Sequence, residues 1–277
     1  MKKLFFLITW FVAFKAGSQE LYVFTEPASN MPAKSISLKV SGMFMGPQSW
    51  HNQHMERIMP EVMFGVSKKW MIHLSATFGD MHTDNYIWES VSFYTKYRFL
   101  SNDDIHTHFR MAVFGEASYT RAPFHTEEIN LNGDKNGVRA GIIATQLWNK
   151  FALSGTVSHT QVLDKSRNNK TIIYVPSRIY QAMGYSLSGG YLLFPVEYKN
   201  YQQTNVNLYA ELLAQQSLDR KAYFIDLAPA IQIIFNSNTK LNLGYRFQLD
   251  GTMQRMAERS WQISLERTFL NALKKRS

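Results

Sequence analysis

The sequence predicts a transmembrane all-β fold, an antiparallel up-and-down β-barrel of about twelve strands. Apolar residues recur at every second position in segments of roughly ten residues, longer than the five or six usual in soluble sheets. The links between segments alternate between short turns and longer polar loops, as in outer-membrane barrels. Trp70, Phe99, Trp148, Phe151 and Phe235 stand beside the short links, where an interfacial aromatic girdle belongs.

Composition bounds the alternatives. The chain has 277 residues, 45% hydrophobic, 14% aromatic and 18% charged, with no cysteine and a formal charge of +9. It is too apolar to be disordered, and disulfide scaffolds, CxxC redox sites and thiolate metal sites are excluded. Beyond the N-terminus no apolar run reaches the length of a membrane helix, about 20 residues. A barrel passes this test because its lipid-facing residues occupy alternate positions.

Residues 1–18 read as a cleavable export signal. Lys2 and Lys3 precede an apolar stretch from Leu4 to Phe14, and Ala16-Gly17-Ser18 offers a small-residue cleavage site. Residues 19–33 form a proline-bearing segment, with Pro27 and Pro32, that discourages sheet pairing. It reads as a periplasmic tail or as a plug or gate folded into the barrel, and the tail is the preferred reading. The barrel is expected over 34–269 and a basic C-terminal tail over 270–277.

The strands follow in order. Ile36, Leu38 and Val40 open the series. Ile58, Pro60, Val62, Phe64 and Val66, then Ser67-Lys68-Lys69, then Trp70, Ile72, Leu74, Ala76 and Phe78 make the clearest hairpin. Ile87 to Phe99 is followed by a turn expected at Ser101-Asn102-Asp103-Asp104, then by Phe109 to Tyr119. Val138 to Trp148 turns at Asn149-Lys150 into Phe151 to Val157. A weaker pair spans Gln181 to Leu193 and Thr204 to Leu212. Tyr223 to Phe235, Leu241 to Leu249 and Trp261 to Phe269 close the series. A secreted β-sandwich also alternates, but it requires neither long strands nor alternating loop lengths.

Three segments carry a resemblance: Tyr22 to Ile36 (YVFTEPASNMPAKSI), Tyr97 to Phe114 (YRFLSNDDIHTHFRMAVF) and Glu127 to Gln146 (EEINLNGDKNGVRAGIIATQ). They resemble an uncharacterised family of exported outer-membrane barrels of Gram-negative bacteria. The architecture is more loosely similar to the MetA-pathway phenol-degradation and related outer-membrane transporter families. The resemblance implies an outer-membrane barrel inserted by the barrel-assembly machinery, and passage of small solutes. The chain departs from the usual pattern in running on from Phe269 to Ser277 rather than ending on an aromatic.

The partners of the apolar positions should line the interior: Lys39, Glu61, His73, Lys96, Arg98, Arg110, Glu116, Arg139, Glu211, Asp226, Arg246, Gln248 and Glu266, with Asn207, Asn242 and Gln262. Ionised groups persist inside a membrane protein only when paired or hydrated. The leading reading is a porin-like channel for small polar or amphipathic solutes. The alternative is a structural barrel filled by mutually neutralising side chains, since about twelve strands give an intermediate lumen.

His51, His54 and Met55 share a loop, Met81-His82 sit in the next, and His106 and His108 point the same way at a strand start. These soft and borderline donors suit copper, although no fixed ligand spacing is present. Scattered methionines are expected to face lipid or fill gaps. His73-Leu74-Ser75 puts a possible base and nucleophile on one strand face, but on the lumen side, so no enzyme and no cofactor is expected. Export argues against nucleic acid as the partner of a basic chain; loop cations such as Arg121, Lys165, Arg167 and Arg220 would instead meet lipid and lipopolysaccharide.

Overall fold

The computed structural model describes residues 22–47, 53–81, 85–105, 107–121, 126–163, 179–196 and 202–274. The expected export signal, residues 1–18, lies outside the described residues. Twelve strands form one closed barrel: β1 Ile36–Met45, β2 Met55–Gly65, β3 Trp70–Gly79, β4 Ile87–Asp103, β5 Thr107–Thr120, β6 Gly137–Trp148, β7 Phe151–Val162, β8 Gln181–Phe194, β9 Asn205–Ser217, β10 Tyr223–Phe235, β11 Thr239–Gly251 and β12 Arg259–Phe269. Each pairs antiparallel with its chain neighbours, and β1 pairs with β12 from Ile36↔Phe269 to Phe44↔Trp261. Closure leaves no unpaired sheet edge, the condition for a sheet to span lipid.

The alternation sorts side chains by face. On β12, Trp261, Ile263, Leu265 and Phe269 are exposed on the outside, whereas Ser260, Gln262, Ser264, Glu266 and Thr268 are buried in the ring. A sandwich would do the reverse, hiding its apolar face between layers. Here about half of Val40, Trp70, Leu187 and Leu265 is exposed, while Arg57 and Lys96 are 0% exposed. Trp70, Phe99, Trp148, Phe151 and Phe235 all lie on the outer surface at the short-turn end. Trp70 packs edge-on against Tyr97, centroids 5.7 Å apart, and Trp148 stacks on Phe151 at 6.0 Å.

One turn differs from the expectation. β4 runs on through Ser101 and Asn102 to Asp103, and β5 begins at Thr107. The cause is a bulge between Arg98 and Leu100, which places Phe99 and Leu100 both on the outside and resets the alternation. β9 also extends beyond Leu212, reaching Ser217.

The interior is occupied from both ends. Residues 22–33 precede β1 and run inside the ring, not beneath it. At the long-loop end, residues 126–136, between β5 and β6, fold inward; Glu127, Ile129, Leu131, Asp134 and Lys135 are buried. This second segment pairs with the loop between β11 and β12, the amide N–H groups of Glu127 and Glu128 both donating to the Gln254 carbonyl.

Candidate functional site: the lumen and its two inserts

The N-terminal insert is held by side chains from opposite sides of the barrel. Buried Glu211 on β9 accepts three bonds from it: Val23 N–H at 2.9 Å, Phe24 N–H at 3.0 Å and the Thr25 hydroxyl at 2.6 Å. The Ser188 hydroxyl adds a fourth at 3.2 Å. Lys96 on β4 donates to Glu26 Oε2, the Pro27 carbonyl and the Ser29 carbonyl at 3.1, 2.6 and 2.9 Å. Prolines leave carbonyls of this segment without sheet partners, and a buried ammonium with three donors suits them. Ala28 N–H donates to Thr145 Oγ1, Arg110 Nη1 to Ser29 Oγ, and Gln262 Nε2 to the Val23 carbonyl. Glycines on the wall admit the insert: a Cβ at Gly244 would lie 2.5 Å from the Phe24 ring, and one at Gly65 2.1 Å from the Pro32 carbonyl oxygen.

The second insert is fixed by ion pairs. Arg57 on β2, wholly buried, donates to Glu89 on β4 at 2.6 Å and to Asp134 of the insert at 2.8 Å. Gly133 sits at φ +121°, and a Cβ there would lie 2.6 Å from the Arg57 guanidinium carbon. Only glycine adopts that backbone without strain. Arg255, from the β11–β12 loop, bridges Glu128 at 3.1 Å and Asp226 at 2.7 Å, with its guanidinium carbon 3.8 Å from the Phe224 ring centroid. Burial disfavours the Arg255 charge, but Glu128 and Asp226 more than offset it and hold the pKa above its ordinary value.

Between the inserts lies a cavity of about 360 Å³. One side is a wall of small groups from β7 and β8, including Thr156, Ser158, Thr160, Gly184 and Ser186. The other carries Lys39, Glu61 and His73, with Glu116 and Arg139 between. Aromatic rings of Tyr94 and Phe114, stacked with centroids 5.5 Å apart, and Phe24 complete it.

Most residues expected in the lumen are there, and most are paired. Glu61 bonds Lys39 at 3.4 Å and His73 Nδ1 at 2.7 Å. Arg139 forks onto Glu116 and covers the Phe114 ring at 5.8 Å. Arg246 meets Asp226 at 2.5 Å, Gln248 accepts from Arg255, and Glu266 joins Lys240 and Ser37. Asn207, Gln232, Asn242 and Ser264 form a hydrogen-bonded relay across four strands. Arg98 lies lower, donating to the Lys68 carbonyl, and Arg110 divides between Asp103 and the N-terminal insert.

Other residues fall elsewhere. His51, His82 and His106 lie outside the described residues. His54 and Met55 are at the long-loop end, whereas His108 is at the short-turn end, its Nδ1 2.9 Å from Asp103 Oδ1, so these do not form one site. His73 bonds Glu61 while Ser75 bonds Ser92 at 2.5 Å. Arg57, not among the residues expected inside, occupies the same alternate positions of β2 as Glu61. Glu128, Asp134 and Arg255 lie in loops, where no periodicity marks a side chain as inward.

No family model and no curated protein matches this sequence. Among solved structures, the COG4313 outer membrane channel from Pseudomonas putida F1 superposes with a TM-score of 0.57 at 11% identity, over 90% of this chain and all of that one. The likeness is one of fold. The KdgM porin (TM-score 0.44, 9% identity, 84% of this chain and 99% of that one) and the CymD monoaromatic hydrocarbon channel (0.43, 10%, 87% and 90%) also match.

Proposed function

We propose that this protein is an outer-membrane channel for small polar or amphipathic solutes, held closed by its N-terminal insert. The observation that carries this reading is the 360 Å³ cavity at mid-lumen, lined by Tyr22 to Glu26 of the N-terminal insert on one side and by Glu128, Ile129, Asn130 and Asn132 of the loop insert on the other. A barrel serving only as structure needs no such space and would fill it with side chains. The small-residue wall of β7 and β8 keeps it open. The outward apolar face and closed ring suit a bilayer, and an even strand number puts the start of β1 and the end of β12 on the same, short-turn side, the periplasmic one. The superposing Pseudomonas putida protein is itself an outer membrane channel, which supports the same role here.

The two inserts differ in how they are held. The loop insert is tied by buried arginine ion pairs, whereas hydrogen bonds and one lysine hold the N-terminal insert, whose carbonyls water could serve equally well. The N-terminal insert is therefore the movable one. In liposome-swelling assays, protein lacking residues 22–33 should admit small sugars and amino acids faster than the full chain. Equal rates in two well-inserted preparations would favour a barrel without transport.

A further inference from the structure

On the first three strands the methionines are segregated by face. On β1 to β3, every inward apolar side chain larger than alanine is methionine: Met43 and Met45, then Met55, Met59 and Met63, then Met71. The outward positions of the same strands carry Leu38, Val40, Phe44, Ile58, Leu74 and their like, and no methionine. Gap-filling does not account for this, because inward positions elsewhere use Ile143, Leu147, Leu192 and Ile234. Met111 and Met183 stand at outward positions of β5 and β8, as expected of scattered methionines, but these six line one side of the lumen.

They fall into stations. At the long-loop mouth Met45 and Met55 are cross-strand partners, and they pack with Met81 and Met256 into a cluster of which no member is more than 8% exposed. Lower down, Met43 and Met59 line the central cavity together with His73. Met63 is the cross-strand partner of His73. His73 is only 4% exposed; its Nδ1 is engaged by Glu61 at 2.7 Å, and its Nε2 has no hydrogen-bond partner. A carboxylate on one ring nitrogen that leaves the other as a free lone pair is the arrangement of a metal-binding imidazole.

The geometry points to a binding track for a soft monovalent cation of the cuprous or silver class, with the mouth thioethers as first station, Met43 and Met59 along the way, and His73 with its cross-strand partner Met63 as the second station. Thioethers are neutral and soft, so they select such ions over hard cations. Water-avoiding sulfur at the mouth would strip a weakly hydrated soft ion, and the imidazole, with Glu61 behind it, would stabilise the charge deeper in. This deepens the channel reading and rests on it only for passage, because binding is a property of the isolated barrel.

The test is silver titration of the full chain in detergent, by calorimetry in chloride-free buffer, with magnesium and sodium as hard-cation controls. We expect silver binding without magnesium or sodium binding. Met45→Leu/Met55→Leu conserves side-chain volume, and it should remove the mouth station's heat. Glu61→Gln, which weakens the support behind His73 and leaves the Lys39 charge beside it without this carboxylate, should lower affinity at the second station by about 10–100-fold. Wild-type protein that binds no silver, or leucine and glutamine variants that bind as the wild type does, would overturn the proposal. Silver binding in a barrel that never conducts would leave the site standing and defeat the channel reading, and conduction without silver binding would do the opposite.

Discussion

Replacing Glu211 with alanine should open the channel. Three donors of the N-terminal insert end on this one carboxylate, the Val23 and Phe24 amides and the Thr25 hydroxyl. The insert keeps its bonds to Lys96, Thr145 and Gln262, and water entering the vacated space serves some of the released donors. Taking about 1 kcal/mol net for each lost bond, the closed state loses about 3 kcal/mol, or about a hundredfold in the ratio of closed to open. In planar bilayers the wild type should show rare, brief openings and Glu211→Ala long ones, with unit conductance unchanged because the wall is otherwise intact. Amide hydrogen exchange at Val23 and Phe24 should accelerate in parallel. If exchange accelerates and conductance does not, the insert is not the gate; if neither changes, Glu211 does not hold it.

Other substitutions probe the remaining parts. Lys96→Met removes the other principal anchor, the bonds to Glu26, Pro27 and Ser29, and its effect on swelling rate should multiply that of Glu211→Ala, since the two act on different stretches of the insert. Arg57→Ala removes the guanidinium that Glu89 and Asp134 share in the interior, at a cost of about 3–5 kcal/mol. It should free residues 126–136 to protease on intact cells while the barrel stays folded. Val40→Arg, half-way along β1 on the outer face, should destabilise the inserted barrel by about 2–4 kcal/mol in reversible unfolding from bilayers.

The barrel was legible in the sequence because its signal is local: alternation such as Trp70, Ile72, Leu74 needs no knowledge of distant residues, and closure makes every strand obey it. Legibility failed where alternation breaks. The bulge at Arg98 and Leu100 hid the last residues of β4 and moved a turn. The inward acids and bases on strands could be read by the same parity that placed Glu61 and Glu116. Their partners in the inserts could not, because the position of Glu128 or Asp134 depends on contacts far along the chain, with Arg255 and Arg57. The N-terminal insert is the extreme case. Its prolines say only that it is no strand; that it lies inside the ring is decided by Glu211, about 190 residues away.

The absence of cysteine allows single cysteines to be placed at will. Ser186 of β8 lines the cavity, and Leu187 beside it is half exposed on the outside. In bilayer-inserted Glu211→Ala protein, Ser186→Cys should react with a small charged thiosulfonate that cannot enter lipid, and Leu187→Cys should react only with a lipid-soluble maleimide. Equal reactivity of the two cysteines towards the charged reagent, or a reversed order, would contradict a watery interior enclosed by strands whose greasy sides meet the membrane.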